Sequence, residues 1–403
     1  MSLRILFAST HCYIDPSSGA ALCTRDILEL HAAAGHDCRA LTTGVFDYEC
    51  ESNLEEVLRG LEIPFTPMAA RLSNGATQVV FDARLENVRV TLMPTSSSRA
   101  DRAPDRDEGG RWLDLGEQVL DRFNPHVVLT YGGHPASLEL LRRARKRGIA
   151  TVFHLHNFAY TDRKGLEHVT AFITPSEYTR KHYARRVGID STVIPDPLRP
   201  ERVVAEAREP KYVTFVNPQP VKGVTVFARI ALELQQRRLE IPLLVVEGRG
   251  GSEWLARLPV ELSHLENLHR MANTPEPKDF WKVTRIVLMP SLWRETLGRV
   301  AIEGLANGIP VLAGDRGALP ETLGDAGFVF HIPQQYTPEN AAVPTAQEVA
   351  PWVAVIEKLW DDHTFESSHQ QRALQEANRW RPSELTRLFE EFFSKVSHPS
   401  TRL

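Results

Sequence analysis

The sequence predicts an α/β protein built from two halves, each a parallel sheet covered by helices. Two observations carry this. Short apolar, β-rich runs alternate along the chain with amphipathic helical stretches, the pattern of strand–helix–strand units. A run of breakers, Pro195-Asp196-Pro197, Pro200 and Pro210, then separates one such series from a second, as an interdomain linker would. The expected divisions are residues 1–197, 198–380 and a terminal segment 381–403.

In the first half, residues 4–8 read as the opening strand. Leu22, Ile27, Leu30 and Ala34 then share one helical face, closed by Gly35. Strands follow at 39–43, 126–131, 151–156 and 171–174. A helix over 135–147 ends at Gly148, and another, capped by Ser176, stops at Gly188. Segment 94–111 is rich in Pro, Ser, Arg and Asp and reads as a mobile loop. In the second half, a strand at 212–216 leads through Asn217-Pro218-Gln219-Pro220-Val221-Lys222-Gly223 into a helix reaching about Arg238. Strands at 241–247, 285–289, 309–313 and 327–332 come next, with a helix at 296–307 and Gly308 just past its end. Thr345 and Glu348 match a capping box with Pro351 in the first turn, and 383–396 is the last helical stretch.

Composition excludes several classes. The 403 residues carry 47 Lys+Arg against 51 Asp+Glu, a net charge of −4, so no basic nucleic-acid footprint is present. Hydrophobic residues make up 42% and charged residues 24%, which excludes collagen, extended coiled coil and wholesale disorder. The opening apolar run is broken by Thr10, His11 and Asp15 before it could form a signal-peptide core, and no stretch reaches the ~20 apolar residues of a membrane span. Cys12, Cys23, Cys38 and Cys50 contain no Cys-x-x-Cys pair and read as free thiols of a reducing cytoplasm.

The strongest chemical constellation is Pro290-Ser291-Leu292-Trp293-Arg294-Glu295-Thr296-Leu297-Gly298-Arg299-Val300-Ala301-Ile302-Glu303, followed by Gly308-Ile309-Pro310-Val311. A strand ends at Pro290, where open α/β sheets bind ligands. Thr296, Leu297 and Gly298 fall where a helix begins, so backbone N–H groups and the positive helix end make a phosphate site. Gly298 allows an anion close to the backbone. Glu295 and Glu303 lie at most ~12 Å apart along a helix axis, which suits one acid near a sugar ring and the other near a ribose. Two glutamates on a helix would otherwise be a solvated face.

This stretch resembles the Glu-x7-Glu signature of the family-4 retaining glycosyltransferases, including the preceding Pro-Ser, the Gly after the first Glu, the Gly-x-Pro-Val and the later Gly317-x-x-x-Glu321. The resemblance implies the GT-B architecture of two facing Rossmann-like domains with parallel sheets and an interdomain cleft. It implies an acceptor-binding first half, a donor-binding second half and a final helix that crosses back onto the first. Asn217-Pro218-x-Pro220-x-Lys222-Gly223 is similar to the family's second-domain entry loop, whose Lys grips the donor diphosphate. The family's upstream Arg is Asn217 here, which leaves Arg249, Arg294 and Arg299 as candidates for the second cation. Ser17-Ser18-Gly19-Ala20-Ala21 is similar to the small-residue loop beside the donor sugar. His154-Leu155-His156-Asn157 ends a strand with both histidines on one face, and His156 matches the family's His near the reacting sugar. Thr174-Pro175-Ser176-Glu177 and Val193-Ile194-Pro195-Asp196 are further landmarks. The match is weakest over 45–125.

The resemblance thus implies retaining transfer of a sugar from a nucleotide diphosphate donor, by default a UDP-sugar, to a small-molecule, glycan or lipid-linked acceptor. Glu295 would bind the sugar's hydroxyls and Glu303 the ribose. No metal and no separate cofactor are implied, because Lys222 and the helix start near Gly298 supply positive charge. Asp105-Arg106-Asp107 has the form of a metal-binding Asp-x-Asp but sits in the low-complexity segment rather than at a strand end. The basic cluster 142–147 reads as a solvated helix face or, alternatively, as contact with anionic lipid headgroups at the inner face of a membrane. A nucleotide-sugar 2-epimerase of the same fold and a noncatalytic sugar-nucleotide-binding protein are the rival functions.

Overall fold

A computed structural model describes residues 2–47, 51–251 and 253–398. The chain forms two compact units. The first comprises Met1–Pro175, Thr179–Pro197 and Pro382–Leu403, the second Ser176–Tyr178 and Leu198–Arg381.

In the first unit the described strands are β1 (Arg4–Ala8), β2 (Asp37–Thr43), β3 (Phe65–Arg71), β4 (Thr77–Leu85), β5 (Val88–Met93), β6 (Val127–Thr130), β7 (Ala150–His154), β8 (Ala171–Thr174) and β9 (Thr192–Val193). They form one sheet in the order β3-β4-β5-β2-β1-β6-β7-β8-β9, parallel except where β4 pairs with β3 and β5. Alternation along β1 serves both faces. Ile5 and Phe7 join a core with Ile27 and Leu28 of the helix Gly19–Ala33, while Leu6 and Ala8 join another with Trp112 and Leu140. A central parallel strand buried on both sides reads as an unbroken apolar run, and Ile5-Leu6-Phe7-Ala8 is one. The terminal helix Pro382–Ser397 belongs to this unit, with Phe389 and Phe393 buried against His31 of Gly19–Ala33. Burial lowers the His31 pKa to about 4 and keeps that ring neutral.

The second unit contains β10 (Tyr212–Val216), β11 (Leu243–Val246), β12 (Leu268–Met271), β13 (Thr284–Met289), β14 (Val311–Gly314) and β15 (Phe328–Phe330), all parallel, in the order β12-β11-β10-β13-β14-β15. Val213 and Phe215 pack on helix Val224–Arg237, which in turn packs on Ala346–Asp361.

Three expectations are corrected. Residues 94–111 are not one loop: a helix runs Arg106–Phe123, opened by a capping box in which Asp105 accepts the Glu108 N–H. Asp105 of the Asp-x-Asp form, which the sequence reading set aside as a metal site, is the cap of this helix. Pro351 lies inside helix Ala346–Asp361, beyond its first turn, although the Thr345/Glu348 capping box is present. The helix expected from Thr296 starts at Arg299, since Gly298 stands in the left-handed region at φ +91°.

The basic helix, Pro135–Lys146, carries its own counter-ions. Glu139 accepts from Arg142 at 2.6 Å and from Arg143 at 2.9 Å. Arg143 also pairs with Glu117, and Arg147 with Glu117 and Asp121 at 3.2 Å each. The Arg142 hydrogen bond leads in lowering the Glu139 pKa to about 2. Three of the basic side chains are thus neutralised within the unit, the arrangement of a solvated face. Among the described residues no helix is long and apolar enough to cross a membrane. Cys12 and Cys38 are free and buried, and Cys23 is buried; Cys50 lies outside the described residues.

Candidate functional site

Counted from its own first strand, the second sheet has the order 3-2-1-4-5-6, so the direction of strand addition reverses between β10 and β13. Ligands of open α/β sheets gather outside the carboxyl ends of the strands at that point. The two segments singled out in the sequence leave from there, 217–223 after β10 and 290–298 after β13.

Backbone contacts lock the two loops together. The Val221 carbonyl accepts the N–H groups of Leu292 at 3.0 Å and Trp293 at 2.9 Å. Gly223 has φ +84°, and a Cβ there would lie 1.8 Å from the Pro290 carbonyl oxygen, so the approach requires glycine. The result places Lys222 Nζ 2.7 Å from Glu295 Oε1, to which Ser291 Oγ also donates at 2.9 Å. The Lys222 side chain is 32% exposed and that of Glu295 12%, so the pair stays accessible to a ligand.

Glu295 is fixed from behind. Its backbone bridges to Gly317, and its carbonyl accepts the Ala318 N–H at 2.8 Å. Gly317 has φ +76°, and a Cβ would meet the Glu295 oxygen at 2.2 Å and nitrogen at 2.4 Å. Gly317→Ala is therefore expected to cost about 2 kcal/mol of stability through backbone strain next to the carboxylate. A melting curve at the wild-type value would show that the Gly317–Glu295 contact is not as close as described.

Thr296, Leu297 and Gly298 lead into the helix Arg299–Ala306, which follows β13 and is capped by Gly298 without a side-chain hydrogen bond. Glu303 differs from the expected accessible carboxylate. It is 5% exposed, accepting from Trp281 Nε1 at 3.1 Å and from Arg299 Nε at 2.8 Å. Arg299 is thereby committed to Glu303. Arg294 lies on the exposed stretch after β13. Arg249 is flanked by glycines that pack on the entry loop: Asn217 Oδ1 accepts the Gly250 N–H at 3.0 Å, and a Cβ on Gly248 would lie 3.2 Å from Asn217 Cβ. Asn217 itself stands at φ +63°, a conformation asparagine tolerates better than most residues.

In the first unit, Gly19 is the first residue of the helix Gly19–Ala33, with open space where a Cβ would stand. The preceding turn is organised by Asp15, which the sequence reading left without a role. Asp15 Oδ1 accepts the N–H groups of Ser17 at 2.8 Å and Ser18 at 3.1 Å, and Oδ2 that of Asp47 at 2.7 Å. His156 lies just past β7 with its side chain 8% exposed and Nε2 shielded from solvent. Its ring centroid is 3.8 Å from that of His154, and burial lowers its pKa to about 3 and that of His154 well below the usual value. Both face Asp196, at 3.4 Å from His154 Nε2 and 3.8 Å from His156 Nδ1. The His-x-His spacing was readable; the convergence of Asp196 on it depends on the β8–β9 crossover and was not.

Residues 17–202 match the model described as Glycosyltransferase Family 4, and residues 210–342 the model described as Glycosyl transferases group 1. A D-inositol 3-phosphate glycosyltransferase of Arthrobacter sp. (strain FB24) is 28% identical over 185 residues, covering 43% of this chain and 41% of the relative. The lipopolysaccharide 1,2-N-acetylglucosaminetransferase of Salmonella typhimurium is 24% identical over 256 residues, 57% of this chain and 65% of that protein. The chain thus matches less than two thirds of the length of these curated relatives. Among solved structures, Anabaena HepE in complex with UDP and glucose superposes with a TM-score of 0.65 at 14% identity, covering 98% of this chain and 100% of the other, a likeness of fold.

Proposed function

Because the chain belongs to the group 1, family-4-type glycosyltransferases of GT-B fold, we propose that it moves a sugar from a UDP-sugar to an acceptor hydroxyl with retention at the anomeric carbon. The observation that carries this reading is the Lys222–Glu295 pair at the switch point of the second sheet, beside the start of helix Arg299–Ala306. A compact ammonium and a helix N-terminus suit a diphosphate leaving group, and a carboxylate suits the hydroxyls and developing positive charge of the sugar. Arg249, carried by the loop that packs on Asn217, takes the place of the family's second cation. Glu303 receives the ribose hydroxyls from the position that its bonds to Trp281 and Arg299 fix. As the C–O bond to the diphosphate lengthens, the acceptor hydroxyl attacks from the same face and the departing phosphate oxygen takes its proton. With the leaving group's charge met by side chains and amides, the transfer step requires no metal at the diphosphate.

A thermal-shift panel of UDP-, GDP-, ADP- and dTDP-sugars tests the donor. A donor at ~100 times its dissociation constant stabilises by ~2.7 kcal/mol, and the UDP-sugars are expected to give that shift. A shift with another base alone would reassign the nucleotide, and none with any donor would overturn the reading. Retention is tested by the anomeric configuration of the product; inversion would remove it.

A further inference from the structure

We propose that His154, His156 and Asp196 of the first unit form a binding site for a divalent first-row transition metal, best suited to Zn²⁺, that ties the end of β7 to the segment after β9. It gives His156 a role other than the sugar contact that the resemblance implies, and it uses no residue of the Lys222–Glu295 site.

The ligand set is the first argument. Two imidazoles and one carboxylate are nitrogen and oxygen donors of the borderline kind that Zn²⁺ and its neighbours take. One candidate atom from each residue lies within 4.8 Å of those from the other two.

The separations are the second. His154 Nε2 lies 3.4 Å from Asp196 Oδ1, and His156 Nδ1 lies 3.8 Å from Asp196 Oδ2. These are longer than the usual ~2.9 Å of an N–H···O hydrogen bond. They approach the edge of a tetrahedron around a metal with bonds of 2.0–2.1 Å, which is about 3.3 Å. Because the two separations end on different oxygens of Asp196, rotation of its carboxylate together with an inward shift of the rings would bring one atom of each residue to three corners.

Burial is the third. His154 is 1% exposed, yet neither of its ring nitrogens makes a hydrogen bond. A buried polar group without such a bond costs free energy, and a coordinate bond to Nε2 would offset that cost. Three protein ligands in a nearly closed site leave a fourth position for water. With Asp196 only 5% exposed, the ion would be shielded from bulk solvent, and because Asp196 precedes Pro197, where the chain leaves the first unit, it would fasten that exit.

The full-length protein, stripped with a strong chelator and dialysed, would be titrated with Co²⁺ and followed by visible absorption. One Co²⁺ per chain with intense tetrahedral bands, displaced by Zn²⁺, is expected. His154→Ala and Asp196→Asn are expected to abolish the bands. Absence of bands in the wild type, or their survival in either variant, would overturn the site. Should a variant fail to fold, ¹⁵N-histidine spectra of the wild type decide: two of the 15 imidazoles should shift with Zn²⁺. Shifts confined to none, or to histidines other than 154 and 156, would refute the proposal.

Discussion

Glu295→Ala is expected to lower kcat by about 100-fold while leaving the melting temperature close to wild type. The carboxylate sits beside the proposed anomeric carbon, where positive charge grows as the diphosphate departs, so its interaction strengthens in the transition state. A contact of ~3 kcal/mol corresponds to roughly two orders of magnitude in rate. Stability should change little because Glu295 shares its Oε1 with Ser291 and a Lys222 side chain that is 32% exposed. A partly solvated ion pair is worth only about 0–1 kcal/mol. Glu295→Gln separates charge from shape, since the amide oxygen can still accept from Lys222 and Ser291. The glutamine variant should recover folding fully and rate only in part. Steady-state kinetics at saturating acceptor with both variants checks this, and a normal kcat for Glu295→Ala would place the carboxylate away from the reacting carbon.

Several strands of both units were legible because buried parallel strands write themselves as apolar runs. Tyr212–Val216 and Ala171–Thr174 have the limits read from the sequence. The β3–β4 hairpin was not legible, because most of β3 is exposed and offers no apolar stripe, although Asn74-Gly75 marks its turn. The helix from Arg106 was hidden by its polar first turns; the Asp105/Glu108 box was the signal that composition obscured. Within the site, the identities of Lys222 and Glu295 could be read from the motif. Their contact could not, since it depends on Gly223 touching Pro290, two residues on loops from different strands. The partners of Glu303 were equally out of reach: Trp281 lies 22 positions earlier in sequence and meets it only because the sheet brings their elements together.

That last contact changes what Glu303→Ala should do. Read from sequence alone, Glu303 is a ribose ligand. In the structure its carboxylate is 5% exposed and holds both the indole N–H of buried Trp281 and the guanidinium of Arg299. Truncation leaves a buried donor unsatisfied, at about 1–3 kcal/mol, and removes one partner of a largely buried cation, a change that costs about 3–5 kcal/mol where a pair is fully enclosed and has no other partner. Arg299 retains some solvent access, its side chain being 16% exposed, so a total of about 3 kcal/mol is expected. For a unit of this size that lowers the melting temperature by about 6–12 °C. Below the melting range, donor KM should rise more than kcat falls, because a ribose contact is made alike in the ground and transition states. Glu303→Gln keeps an acceptor for Trp281 and loses only the charge opposite Arg299, so its melting temperature should lie between wild type and alanine. Calorimetry of the three proteins orders them. Equal melting temperatures for wild type and Glu303→Ala would mean that the carboxylate bears no structural load and is free to serve the ribose alone.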